Sequence, residues 1–310
     1  MRDTALVVIT LTSDSPRRSF AVGIVLRWRG RQAGIEPFYA ELIAGMEDVL
    51  ALHDATVLLQ VVTDVEEELV SYRRWAASDH VSGVVLGDVV DGDVRINVLS
   101  ALGMPTLVLG ESDLPPGVAE VRVDNYSAMK DAVAELTALG HVRIGRVSGP
   151  ARFLHTRSRT AAFIAALGTN PSDAGAPRKS APAPSGQSVE GDYTSFGGAS
   201  ATKLLLESSP RPTAIIYDND VMAVAGLEVA HKLGIAIPAE LSLLAWDDSR
   251  LCRLATPAMS AMSRDVHGLG ELSAQSLLTL IATGDAPVIV APPPRFIARG
   301  TTATPPPPPN

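Results

Sequence analysis

The chain has 310 residues, a formal net charge of −8, and 46% hydrophobic against 19% charged side chains. Its length corresponds to about two domains of roughly 150 residues, its composition excludes wholesale disorder, and its acidic balance argues against a nucleic-acid-binding surface over most of the molecule. The single cysteine, Cys252, excludes an internal disulfide and a thiolate metal cage. No run reaches the roughly 20 apolar residues of a membrane span.

The apolar run Ala5–Leu11 is preceded by Asp3 and followed by Ser-Asp-Ser-Pro-Arg-Arg. Those flanks do not fit a leader, so residues 1–19 read as an extension on a cytoplasmic protein, either a poorly ordered terminus or an extra edge strand. From Phe20 onward, short β-branched runs alternate with amphipathic stretches, the pattern of βαβ units and a parallel sheet. The periodicity predicts strand Ala21–Leu26, helix Pro37–His53, strand Val57–Val62, helix Glu66–Ala77, strand Gly83–Leu86 and helix Val94–Leu102. Strands Thr106–Leu109 and Glu120–Val123, helix Tyr126–Leu139 and strand Arg143–Val147 complete a first unit.

A second unit opens with helix Ser158–Leu167. Residues 171–188, rich in Pro, Ser, Ala and Gly, read as either a mobile connection or a degenerate strand and loop. Helix Thr194–Glu207, strand Thr213–Tyr217, helix Asp220–Leu233, strand Leu241–Ala245 and helix Val266–Ala282 follow, with short strands near Val288 and Phe296. The expected division is an extension at 1–19, one lobe of 20–150 plus about 259–275, a second of 151–258 plus about 276–301, and a proline-rich tail at 302–310. Ligands of open parallel sheets sit outside the carboxyl ends of the strands, so two facing lobes define a cleft.

Motifs for catalysis are missing. No Gly-x-Gly-x-x-Gly follows a strand, no nucleophile elbow appears, and the histidines lack metal-ligand spacing. No catalytic residue, metal or cofactor is expected, and Gly268 and Gly270 read as helix-packing positions. What stands out is polar residues after strands: Asp64, Asp124-Asn125, Asp218-Asn219-Asp220 and Asp247-Asp248. Helix capping accounts for each one singly; four such positions point to a shared ligand cleft. Arg159 lies near the start of a helix, against the macrodipole, either as a surface arginine or as a fork aimed at a ligand. Phe38 and Tyr39 read as a core contact or as a stacking wall.

In order, Ile35-Glu-Pro-Phe-Tyr-Ala-Glu-Leu42, Val121-Arg-Val-Asp-Asn-Tyr126, Ala138–Pro150, Arg159-Thr-Ala-Ala-Phe163, Gly191-Asp-Tyr193, Tyr217–Ala223 and Ala245-Trp-Asp-Asp248 resemble the LacI/GalR family of transcriptional regulators, over roughly residues 20–301. The resemblance implies a periplasmic-binding-protein type I-like fold: two Rossmann-like α/β lobes with parallel sheets joined by three crossovers. It implies a homodimer that binds a small polar effector between the lobes and responds by lobe closure. Phe38 and Tyr39 match an aromatic pair at the cleft wall, Arg159 the arginine that grips the effector, and Tyr193 an aromatic platform. Asn219 matches a hydrogen-bonding amide, Asp247 a carboxylate that accepts hydroxyls or amines, and Phe153 and His155 fall in a loop that tunes effector choice. An apolar Phe153 favours a neutral, sugar-like effector over an anionic purine.

Family members carry a helix-turn-helix and hinge ahead of the core, whereas residues 1–19 show no two-helix pattern. The chain is therefore expected to sense a ligand without binding an operator by itself; operator DNA becomes a partner only through a headpiece upstream or in a partner chain. No membrane partner is expected. The alternatives are a solute-binding protein of a sugar transport system and, behind it, an α/β enzyme.

Overall fold

The computed structural model describes residues 20–27, 35–78, 80–111, 113–167 and 184–307. Residues 1–19, most of the proline-rich stretch and the last three residues of the tail lie outside the described residues.

The first lobe is built on β1 (Phe20–Arg27), β2 (Ala55–Val62), β3 (Gly83–Leu86), β4 (Thr106–Leu109) and β5 (Ala119–Arg122). A late strand, β11 (Val288–Val290), joins them in an all-parallel sheet of order β11-β5-β4-β3-β1-β2. Helices α1 (Pro37–Leu50) and α9 (Val266–Thr283) cover one face, burying Leu42, Met46, Leu269 and Leu277 against Val22, Ile24 and Val85. Helices α2 (Val65–Ser78) and α3 (Val94–Ala101) cover the other with Tyr72, Trp75, Ile96 and Leu99. Proline at the first position of α1 suits the turn that leaves its N–H unbonded anyway.

The second lobe repeats the plan. Strands β6 (Arg143–Ser148), β7 (Ser185–Glu190), β8 (Ala214–Tyr217), β9 (Ser242–Trp246), β10 (Ser260–Ser263) and β12 (Arg295–Ile297) form a sheet of order β12-β10-β9-β8-β6-β7. Only β12 runs antiparallel to its neighbour. Helices α6 (Ser195–Glu207) and α7 (Asp220–Lys232) pack on one face, with the short α8 (Arg250–Leu254) beside α7. Helices α4 (Asn125–Ala138) and α5 (Leu154–Leu167) pack on the other. The chain crosses between lobes after β5, after β10 and between β11 and β12, which makes three crossovers. No described helix is long and apolar enough to cross a membrane.

The lobe boundaries differ from those expected. Helix α4 and strand β6 belong to the second lobe, because Met129, Val133 and Leu136 pack against Phe163, Leu167 and Trp246 and because β6 pairs with β7 and β8. The whole of α9 belongs to the first lobe, and β10 and β12 to the second. A regular strand–helix alternation does not mark the strand after which the chain changes sheets. The Ser-Gly end of the low-complexity stretch is β7, an edge strand paired along its full length with β6. Its Gly186 is required by close packing, since a Cβ there would lie 2.1 Å from Leu167 and 2.9 Å from Phe163. Helix α5 starts at Leu154, so His155 is helical. The tail is tied as far as Ala303, whose carbonyl meets His141 Nε2 at 3.0 Å and whose N–H donates to Ser242 Oγ at 3.1 Å.

Helices α1 and α9 approach backbone to backbone. A Cβ on Gly270 would sit 2.1 Å from the Leu42 carbonyl oxygen, and one on Gly45 1.9 Å from that of His267. Gly270→Ala is therefore expected to destabilise the first lobe by about 2 kcal/mol, as overpacking outweighs a helix-propensity gain of about 1 kcal/mol. Urea unfolding reads this directly; an unchanged midpoint would show that the two helices can separate freely.

Candidate functional site

In each sheet the connections run opposite ways on either side of a central strand pair, β1/β3 in the first lobe and β6/β8 in the second. Residues following the carboxyl ends of these strands and their neighbours line one interlobe cleft. The first lobe supplies Glu36, Phe38 and Tyr39 beyond β1 and Asp88 beyond β3; Asn125 comes from the first crossover. The second supplies His155 and Arg159 beyond β6, Tyr193 beyond β7, Asp218 and Asn219 beyond β8, Asp247 beyond β9 and Arg264 beyond β10. A wider chamber of about 370 Å³ continues from it, sharing Glu36, Tyr39, Asp88 and Tyr193 and adding Phe153 and Arg152. Four non-glycine described residues have left-handed backbone, and three of them, Asp88, Tyr193 and Asp247, line this cleft. Strained backbone of this kind is kept where side chains must point in a set direction.

Arg159 is buried and held on three sides. Its Nε donates to Asn125 Oδ1 at 2.9 Å, its Nη1 to the Asp218 carbonyl at 2.9 Å, and its guanidinium lies 4.2 Å from the Trp246 ring centre. Its Nη2 makes no hydrogen bond to the described residues, and Arg159 lines the cleft. Asp218 sits behind it, accepting from Arg146 Nε and Nη2 at 2.8 and 2.6 Å and from the Gly149 N–H at 3.0 Å. Burial pushes the Asp218 carboxyl up, but the Arg146 and Arg159 charges outweigh it and hold the group below its ordinary value.

Asp247 Oδ1 accepts from Arg264 Nε at 2.5 Å, and that guanidinium lies 4.5 Å over the Phe38 ring, so Phe38 is a wall of the cleft. Tyr39 is buried, stacks edge-on against Phe38, and its hydroxyl donates to Asp88. Phe153, His155 and Tyr193 form an aromatic cluster, with centroids 5.5 Å apart for Phe153–His155 and 6.4 Å for Phe153–Tyr193. His155 Nε2 meets the Tyr193 hydroxyl at 2.7 Å, and burial beside Arg159 pushes the imidazole down to about 3, so it is neutral. Asn219 caps α7 through Met222 N–H and also donates to Glu36 Oε1 at 2.7 Å, a direct hydrogen bond between lobes.

Asp124, Asp220 and Asp248 line neither chamber, whereas Phe38, Tyr39, Asn125, Phe153, His155, Arg159, Tyr193, Asp218, Asn219 and Asp247 converge on the cleft. Asp64 does not: it is exposed at the end of the edge strand β2, and its Oδ1 caps α2 through the Glu67 N–H at 2.9 Å. Sequence reasoning missed Glu36, Asp88 and Arg264 as cleft residues. Asp88 obeys the same strand-end rule, two residues past β3, and Glu36 sits inside the quoted Glu-Pro-Phe-Tyr segment. Arg264 follows β10, whose Ser-Ala-Met-Ser sequence carries no β-branched run.

A profile described as "Periplasmic binding protein-like domain" matches residues 133–302. Catabolite control protein A of Priestia megaterium is 25% identical over 243 residues, spanning 78% of this chain and 70% of that one. The transcriptional regulator CelR of Thermobifida fusca is 26% identical over 281 residues, 87% of this chain and 76% of its own. A CelR–cellobiose complex superposes with a TM-score of 0.78 over 92% of this chain and 85% of that one, at 24% identity. A LacI family transcriptional regulator from Bifidobacterium animalis subsp. lactis DSM 10140 is 34% identical with a TM-score of 0.78, covering 92% of this chain and 98% of that one.

Two parallel-sheet lobes closing on a cleft of hydrogen-bonding side chains define a periplasmic-binding-protein-like ligand sensor. The chain belongs to the LacI family of transcriptional regulators, of which it forms the ligand-sensing core.

Proposed function

We propose that the effector is a small, hydroxyl-rich, sugar-like molecule held between the lobes, and that its binding changes the lobe angle read by the regulator's DNA-binding elements. The observation that carries this reading is the convergence, in one cleft, of unspent polar atoms with aromatic walls. Arg159 Nη2 offers a donor and Asp247 an acceptor oxygen, while Phe38, Phe153 and Tyr193 offer apolar ring faces. Sugar hydroxyls both donate and accept, and a sugar ring face stacks on an aromatic one, so this mixture fits the class. The cellobiose held by CelR supports it.

A thermal-shift screen of mono- and disaccharides tests the reading. A true effector at 100 times its Kd raises stability by about 2.7 kcal/mol through mass action. Failure of every sugar to move the midpoint would remove the sugar assignment.

We further propose a homodimer. Phe196 at the start of α6 and Leu254 at the end of α8 are 81% and 79% exposed on the second lobe, and covering them in an interface would take large apolar side chains out of water. Sedimentation is expected to give a dimer for the wild type and a monomer for the Phe196→Ser, Leu254→Ser double variant. A wild-type monomer at micromolar concentration would refute it.

A further inference from the structure

Glu36 and Asp88 stand where the two chambers of the cleft meet, and both line each chamber. The other cleft acids lie beside arginines: Asp218 beside Arg146 and Arg159, Asp247 beside Arg264. Glu36 and Asp88 are placed otherwise: the charges of Arg95, Arg27 and Arg152 act on Asp88, and those of Asp88, Asp247 and Asp220 act on Glu36. Their direct side-chain partners are neutral, the Asn219 amide for one and the Tyr39 hydroxyl for the other.

Each of the three cations near Asp88 has other partners, and Arg152 lies 4.4 Å over the Phe153 ring. Arg95 donates to the Asp93 and Glu68 carboxylates and to the carbonyl oxygens of Gly87 and Asp88, and Arg27 pairs with Glu68 at 3.2 Å. Arg95 thereby fixes the backbone at Asp88, whose φ is 51°.

Two carboxyls lining one cleft, where burial outweighs the cations around them, are disfavoured as anions. Burial, together with repulsion from Asp88, Asp247 and Asp220, pushes Glu36 up to about 8 even though Asn219 hydrogen-bonds to it. Burial raises Asp88 as well, more than Arg95 lowers it. The free protein settles this by keeping a proton in the pair; a positively charged ligand group would settle it better, at short range in a site shielded from water.

We infer that the effector carries a protonated amine, seated between Glu36 and Asp88, on a hydroxyl-rich body of the kind proposed above: an amino sugar. This rests on the sugar-like reading and departs from the neutral ligand that Phe153 favours from sequence. The amine would face the first lobe, while Arg159 and Asp247 of the second lobe address the hydroxyls.

The test is calorimetry at pH 7 with matched pairs: glucosamine and glucose, galactosamine and galactose, and the β-1,4 disaccharide of glucosamine with cellobiose. The expected result is at least tenfold tighter binding of the amino member of whichever pair binds. Glu36→Gln keeps an acceptor for Asn219, and Asp88→Asn keeps one for Tyr39. Each is expected to bring the amino-to-neutral ratio back toward one, whatever it does to the affinity for the neutral sugar. Thermal unfolding confirms that the variants fold. Neutral sugars binding as tightly as their amino counterparts, or a preference unchanged in both variants, overturns the inference and leaves the sugar reading standing. No binding by any member overturns both.

Discussion

Asp218→Ala is expected to cost the second lobe about 3–5 kcal/mol, the usual cost of unpairing a buried ion pair from one side. Arg146 is fully buried, and its Nε and Nη2 both donate to the Asp218 carboxylate. Its Nη1 donates to Thr160 Oγ1 at 2.8 Å, which cannot replace a counter-charge. Removing the carboxylate also frees the Gly149 N–H at the turn beyond β6 and takes away the anion beside Arg159. A melting point lower by roughly 10 °C is expected at 2–4 °C per kcal/mol. The sign with pH follows from the depressed folded value: stability from Asp218 is present above its ordinary carboxylate range and is lost as pH falls through the lower folded value. The double variant Asp218→Leu, Arg146→Met is expected to recover much of the loss, because an apolar pair of similar volume needs no counter-ion. If the double variant melts no higher than Asp218→Ala, the two side chains are not energetically coupled.

The lobes were legible because hydrophobic runs of period two and amphipathic runs of period 3.6 report directly on which faces are buried. Strand ends were legible too, since a polar pair after an apolar strand is both a helix cap and a cleft residue. Asn219 does both at once, capping α7 and reaching Glu36 across the cleft. The same duality misled at Asp64, whose carboxylate caps α2 and lines neither chamber of the cleft. What stayed hidden depends on contacts across long stretches of chain. Glu36 meets Asn219 183 residues away, and nothing local to either distinguishes a lobe-bridging carboxyl from a solvated one. β7 hid for a different reason: as an edge strand with mostly exposed side chains, it carries no hydrophobic alternation. The lobe assignment of α4 was hidden because its apolar stripe fits either sheet until Trp246 and Phe163 are brought beside it.

Arg159→Ala is expected to weaken effector binding at least tenfold, about 1.4 kcal/mol. The truncation removes the one guanidinium nitrogen in this group left without a protein partner, and with it a buried charge-assisted donor. Stability is expected to change much less than in Asp218→Ala, because Asp218 keeps its two bonds from Arg146. Arg159→Lys separates charge from geometry. A lysine ammonium is a point donor on a flexible stem and cannot hold a plane over Trp246 while meeting both Asn125 and the Asp218 carbonyl. Its affinity is expected to fall between wild type and Ala. Equal affinity of wild type and the Ala variant in calorimetry would place Arg159 in the core of the second lobe, as a brace for Asn125 and Trp246 rather than a contact to the effector.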